Sequence, residues 1–204
     1  MIHRTVGVAL GVIAVAVVAA VGAVALAGTG GGDESVTLRD AGGAERGSVS
    51  FERKGDGTEV RVRLAGLPES VAREAFHGFH IHANGDPSNG EGCVADATKP
   101  SNTWFVSADG HWKADGQNHA GHLGDMPSVL VMKDGKAEMR FETSRIDRAQ
   151  LKGKAVILHA GPDNFGNVPV GTSDTQYTAN KDAAVTATQN TGNAGDRILC
   201  GVVG

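Results

Sequence analysis

The sequence predicts an all-β fold, an antiparallel barrel or sandwich, and three observations carry that reading. Short runs of alternating apolar and polar residues recur between turn signals. The composition is rich in turn formers and thin in large side chains, with 30 glycines and 4% aromatic residues, which suits many short strands. No internal repeat and no long amphipathic helical stretch breaks the pattern.

Taken in order, residues 1–27 form a leader. Val6 to Ala27 is a run of Val, Ala, Leu, Ile and Gly, preceded by Arg4 and ending in Ala25-Leu26-Ala27. The small-residue ending reads as a signal peptide cleaved before Gly28. The run is also long enough, at about 22 residues, to span a bilayer as an uncleaved N-terminal membrane anchor. Either way the remainder is expected outside the cytoplasm, secreted or anchored at the outer face of the cell membrane. No cysteine follows the leader, which excludes a lipoprotein anchor. Residues 28–34 are a Gly-rich linker, and 35–204 are expected to form one domain, since about 175 residues after the leader suffice for a sizeable core.

Within that domain Ser35 to Arg39 reads as a strand, Asp40-Ala41-Gly42-Gly43 as a turn, and Gly47 to Arg53 as the next strand. Lys54-Gly55-Asp56-Gly57 turns the chain into Glu59 to Leu64, where Val alternates with charge. Gly78 to His82 is a short aromatic and β-branched run. Ser128 to Met132 and Lys136 to Phe141 flank Asp134-Gly135, a hairpin signal. Ala155 to His159 reads as a buried strand. The net charge of −4 and pI near 6.0, with no basic patch, argue against a nucleic-acid partner.

The chemistry lies in the histidines. Six of the eight lie between His80 and His159, and Asp125 joins them as a seventh donor. On a strand, the spacing of His80 and His82 puts both imidazoles on one face. His119, His122 and Asp125 lie in a glycine-containing stretch running into Pro127, hence a loop, and their spacing of three returns each donor toward a common point. Imidazole plus carboxylate suits zinc, and an all-imidazole site also suits copper. A lone histidine is more often structural than a ligand, but seven donors this close reverse that expectation. His77 lies an odd number of residues from His80 and points to the other face; His3 belongs to the leader. Cys93 and Cys200 are an even pair behind an export signal, which favours a disulfide over a metal or redox-active pair. A bridge closing about 107 residues stabilises by at most about 4–5 kcal/mol in the chain-entropy model.

These stretches resemble the copper,zinc superoxide dismutases of the bacterial exported type. The likeness is carried by His77-Gly78-Phe79-His80-Ile81-His82, Asp109-Gly110-His111-Trp112, His122-Leu123-Gly124-Asp125-Met126-Pro127 and His159-Ala160-Gly161-Pro162-Asp163-Asn164. It continues in the tail, Thr191-Gly192-Asn193-Ala194-Gly195-Asp196-Arg197 and Cys200-Gly201-Val202-Val203-Gly204. The resemblance implies an eight-stranded antiparallel Greek-key barrel with long metal-binding and active-site loops. It implies copper held by His80, His82, His111 and His159, and zinc by His111, His119, His122 and Asp125, with His111 as the shared bridge and proton carrier. Asp163 would accept hydrogen bonds from one histidine of each set, Arg197 would draw the anionic substrate to the copper, and Cys93–Cys200 would tie a loop to the last strand and hold Arg197 in place.

The implied function is conversion of superoxide to dioxygen and hydrogen peroxide by copper redox cycling, with zinc structural. The alternative is a non-catalytic envelope copper/zinc-binding protein of the same fold; a binuclear zinc hydrolase is a weaker rival, having no general base beside the metals other than Asp163. Superoxide is the expected partner, with a membrane tether through the N-terminal segment and a homodimer left open. Two departures from the family stand out. His119 and His122 are closer together than its middle zinc ligands usually are. The segment from Asn164 to Asn190 is longer than in the animal enzymes, and its only charges are Asp174, Lys181 and Asp182.

Overall fold

The structure, a computed structural model, describes residues 34–164 and 183–204. The leader, all of the linker but Glu34, and residues 165–182 of the long segment lie outside the described residues. Among the described residues no helix is long and apolar enough to cross a membrane.

Among the described residues nine strands are present: β1 (Glu34–Arg39), β2 (Glu45–Lys54), β3 (Gly57–Leu64), β4 (Ala75–His77), β5 (Phe79–His82), β6 (Val129–Val131), β7 (Ala137–Thr143), β8 (Ala155–His159) and β9 (Arg197–Val202). One helix, α1 (Ala183–Thr191), precedes β9. Seven strands form an antiparallel sheet in the order β5-β8-β9-β1-β2-β3-β7, and β4 pairs with β6. With β9 beside β1 and β5 beside β8, this is the non-sequential winding of a Greek key. The expected eight strands become nine because β4 and β5 are one extended run interrupted at Gly78. There the chain turns its hydrogen bonds elsewhere: Gly78 N donates to Gly161 O at 2.8 Å and Gly78 O accepts from His159 N at 2.8 Å. Glu34, read as linker, is already paired with Phe51 in β1.

Alternation explains the core. Val36, Val49, Val62 and Met139 lie opposite one another across β1, β2, β3 and β7, and Phe51, Val60 and Phe141 form the neighbouring rung. All these point inward, where apolar side chains of period 2 bury against the opposing wall. In β5, Phe79 and Ile81 join this core and pair with Leu158 and Val156 of β8. The alternate residues, His80 and His82, pair with Ile157 and Ala155, so they emerge on the other face of the same strands. All four residues of β5 are nevertheless buried, because loops cover that second face.

A smaller apolar cluster of Phe105, Ala108, Ala155, Ile157 and Cys200 sits beside the bridge between Cys93 and Cys200. Their Cα atoms are 5.5 Å apart, within the normal span of a disulfide. Reducing this bond in the native protein is expected to lower unfolding stability by up to about 4–5 kcal/mol, read as a shifted denaturant midpoint. Two titratable thiols in the oxidised protein would contradict the bond.

Candidate metal centre

β5 supplies His80 and His82, and the covering loops are stitched to its free edge. Trp112 N donates to Ile81 O at 2.8 Å, Gly124 O accepts from Ile81 N at 2.8 Å, and Gly124 N donates to Trp112 O at 2.9 Å. Only glycine fits at 124, since a Cβ there would lie 2.2 Å from Ile81 O. This stitching sets His111 opposite His82 and Asp125 opposite His80. α1 closes the site from outside the sheet: Gln189 O accepts from His119 N at 2.8 Å.

Six of the seven expected donors come together in two overlapping groups. Ligating atoms of His80, His82, His111 and His159 lie within 4.8 Å of one another, as do those of His80, His111, His119 and Asp125. His122 is outside the second of these groups but adjoins it, its Nδ1 lying 3.3 Å from both Asp125 Oδ1 and His111 Nδ1. His111 Nδ1 is 2.9 Å from Asp125 Oδ1, and His119 Nδ1 is 3.1 Å from Asp125 Oδ2.

The ring nitrogens settle what such a group can hold. His82 Nδ1 donates to Asp109 O at 2.8 Å and His159 Nδ1 donates to Gly195 O at 3.0 Å. Each ring therefore keeps its proton on Nδ1, and the two Nε2 lone pairs face each other at 3.4 Å. Two acceptors cannot bond each other, but both can bind one cation. His80 Nδ1 and His111 Nε2 are buried with no hydrogen-bond partner, a costly state unless a ligand satisfies them. Burial, followed by the neighbouring imidazoles, holds His80, His82 and His159 well below the usual histidine value, keeping them neutral as metal ligation requires. Burial alone would raise the Asp125 carboxyl, yet hydrogen bonds and charge from His111 and His119 outweigh it and hold Asp125 far below the carboxylate range. The donor set fits metal ions: four imidazoles at one end and imidazoles with a carboxylate at the other.

Asp163 lies under both groups. Its Oδ1 is 2.9 Å from His80 Nε2 and 3.6 Å from His119 Nε2, and Ser128 Oγ donates to Oδ2 at 3.0 Å. Burial raises its carboxyl. His77 is outside the cluster, with Nδ1 2.8 Å from His159 O and Nε2 3.1 Å from Ala72 O.

Arg197 reaches the site through a register shift. Leu158 pairs with Leu199, but His159 pairs with Arg197, leaving Ile198 as an extra residue. Such a bulge turns the side chain on its far side, here Arg197, to the face opposite Leu199, where its charge acts on His82 and His159. Its Nη1 donates to Phe105 O and its Nη2 to Asp109 O. The disulfide bears on this geometry at both ends: Cys200 is on the same strand as Arg197, and Val94, next to Cys93, accepts from Phe105 N at 2.8 Å.

Sequence reasoning missed Asp109. Its carbonyl serves both His82 and Arg197, and its carboxylate accepts from Gly85 N at 2.6 Å and Asp86 N at 3.0 Å. Its backbone has φ 62, a region unusual for a residue with a side chain. No sequence signal short of an alignment exposes such a role.

A family model described as copper/zinc superoxide dismutase matches residues 45–203. The chain belongs to that family. A superoxide dismutase (Cu-Zn) of Mycolicibacterium paratuberculosis is 34% identical over 150 residues, covering 70% of this chain and 62% of that protein, less than two thirds of its length. A superoxide dismutase (Cu-Zn) 2 of Brassica juncea is 30% identical over 169 residues, covering 78% of this chain and 89% of that one. The crystal structure of a double mutant of a SOD-like protein from Bacillus subtilis superposes with a TM-score of 0.56 and 24% identity, over 83% of this chain and 95% of that one; this likeness speaks to the fold alone. Copper and zinc are the family's metals, and the two donor groups suit both.

Proposed function

We propose that the chain is an exported superoxide dismutase, with copper on His80, His82, His111 and His159 and zinc on His111, His119, His122 and Asp125. The observation that carries the reading is the division of His111. Its Nδ1 lies among the Asp125 group while its buried Nε2 has no hydrogen-bond partner, so one imidazole can serve both ions.

Copper supplies one-electron exchange, and zinc, having no redox change, supplies order. Two superoxide ions and two protons become dioxygen and hydrogen peroxide. Arg197 draws and orients the anion with a guanidinium that stays charged throughout the physiological range. His111 Nε2 is the atom that holds a proton for delivery and later gives it up. Asp163 fixes the orientation of His80 and His119, one ring from each set. What supports export is the apolar leader together with a disulfide, a bond that persists in oxidising compartments.

Metal analysis with a dismutation assay on the full chain tests the reading. Copper with cyanide-sensitive turnover is expected; bound metal without turnover would leave a copper/zinc-binding protein of the same fold. Asp125→Ala is expected to lose zinc and loosen the 119–125 loop while keeping some copper-dependent turnover. Unchanged zinc content and unchanged melting temperature in that variant would remove the zinc half of the proposal.

A further inference from the structure

We propose that Arg145 is the positioning residue of the short metal loop, holding its backbone so that His119, His122 and Asp125 converge. The inference rests on the zinc assignment above.

The loop from His119 to Asp125 places three expected ligands and two glycines in a short stretch. Glycine leaves such a chain many conformations, and convergence of three side chains demands one. Its internal backbone bonds are few: Gly121 N donates to Asn118 O at 2.7 Å and Asp125 N to His122 O at 3.4 Å. Arg145 adds a clamp from outside. Its Nη1 approaches three of the loop's carbonyls, Ala120 O at 3.0 Å, His122 O at 3.2 Å and Asp125 O at 3.4 Å. One guanidinium nitrogen carries two hydrogens, so the three acceptors share them and the longest contact is the weakest. Because the peptide group is planar, fixing a carbonyl fixes the plane that joins its residue to the next. Two of the three carbonyls belong to expected ligands, His122 and Asp125. The third, on Ala120, lies between His119 and His122.

Arg145 can act as a clamp because its own base is fixed. It follows β7, its backbone N donates to Thr143 Oγ1 at 3.1 Å, and Thr143 is paired with Thr58 of β3. The loop is thereby referred to the barrel wall. All three contacts of Nη1 are to backbone carbonyls and not to a ligating atom, which makes Arg145 a positioning residue. In the sequence it stands in Ser144-Arg145-Ile146-Asp147 and reads as an ordinary solvated arginine.

The test is metal affinity in the full chain, measured by competition against a chromophoric chelator, with the absorption of cobalt(II) as a report on coordination geometry. Arg145→Ala is expected to weaken zinc about 10–100-fold, the usual consequence of losing a group that orients a ligand, and to alter the cobalt(II) spectrum, with copper affinity little changed. Arg145→Lys, which keeps the charge without the fork, is expected to recover part of both. Asp125→Ala is the control. If Asp125→Ala loses zinc while Arg145→Ala keeps wild-type affinity and spectrum, the clamp is wrong and the zinc site stands. If Asp125→Ala also keeps zinc, the zinc assignment itself has failed. A lowered melting temperature with unchanged zinc affinity makes Arg145 a general structural contact and overturns the inference.

Discussion

His159→Ala is expected to abolish both copper binding and dismutation. His159 is buried at the end of β8, its proton is committed to Gly195 O, and its Nε2 faces that of His82 at 3.4 Å. Alanine removes one of two lone pairs aimed at a common point and leaves the other without a use. Losing a group that merely orients a ligand costs about 10–100-fold in metal affinity or activity, and losing a proposed ligand is expected to exceed that. His80→Ala, from the opposite strand, is expected to behave alike, which separates a ligand effect from a local packing fault. Copper content by elemental analysis and turnover in copper-loaded protein are the measurements. Full activity in copper-loaded His159→Ala would falsify the assignment.

Arg197→Gln is expected to retain copper and lose most of the activity, together with most of its dependence on salt. Fields focused at a site mouth raise on-rates by roughly 10–1,000-fold, an effect for which superoxide dismutases are themselves the familiar example. The distribution of charge is what is particular to this chain. The segment from Asn164 to Asn190 carries only Asp174, Lys181 and Asp182, too few for a guiding cluster, so on the proposed function attraction is expected to fall to Arg197 and the metals. Screening acts on exposed charges beyond roughly 8–10 Å at 0.1–0.15 M salt. The wild-type rate should therefore fall only modestly between low and high salt, and Arg197→Gln should be nearly flat. A steep salt dependence surviving in Arg197→Gln would place the guiding charges elsewhere on the molecule.

Much of the barrel is legible in the sequence because period-2 alternation and turn chemistry are local. Ala155 to His159 reads as a strand with the ends that β8 has, and the readings for β1, β2, β3, β5, β6 and β7 differ by at most two residues at an end, while β4 and β9 carry no such reading. The turn at Asp134-Gly135 forms, through Met132 N to Lys136 O at 2.8 Å and Gly135 N to Met132 O at 3.0 Å, but the expected hairpin does not: β6 pairs with β4 and β7 with β3, so the turn carries the chain from one sheet to the other. α1 is not legible. Its Ala183–Thr191 stretch carries β-branched Val and Thr and no charge in its first or last turn, so neither propensity nor capping announces it.

By itself the sequence determined the alternation that builds the wall, the donor types and their local spacing, and the parity that sends His80 and His82 to one face and Phe79 and Ile81 to the other. Those follow from the backbone repeat and the side chain alone. Tertiary structure decided what depends on contacts between distant segments. The bulge opposite Leu158 and His159 shifts Arg197 by one register position; without it, strand parity would turn that charge toward the core. The tautomers of His82 and His159 are set by the carbonyls of Asp109 and Gly195, and the carbonyls of Ala120, His122 and Asp125 meet Arg145, which follows β7 in the chain. Backbone carbonyls are common to every residue type, so no pattern of side chains records which of them will be brought to a ring nitrogen or a guanidinium.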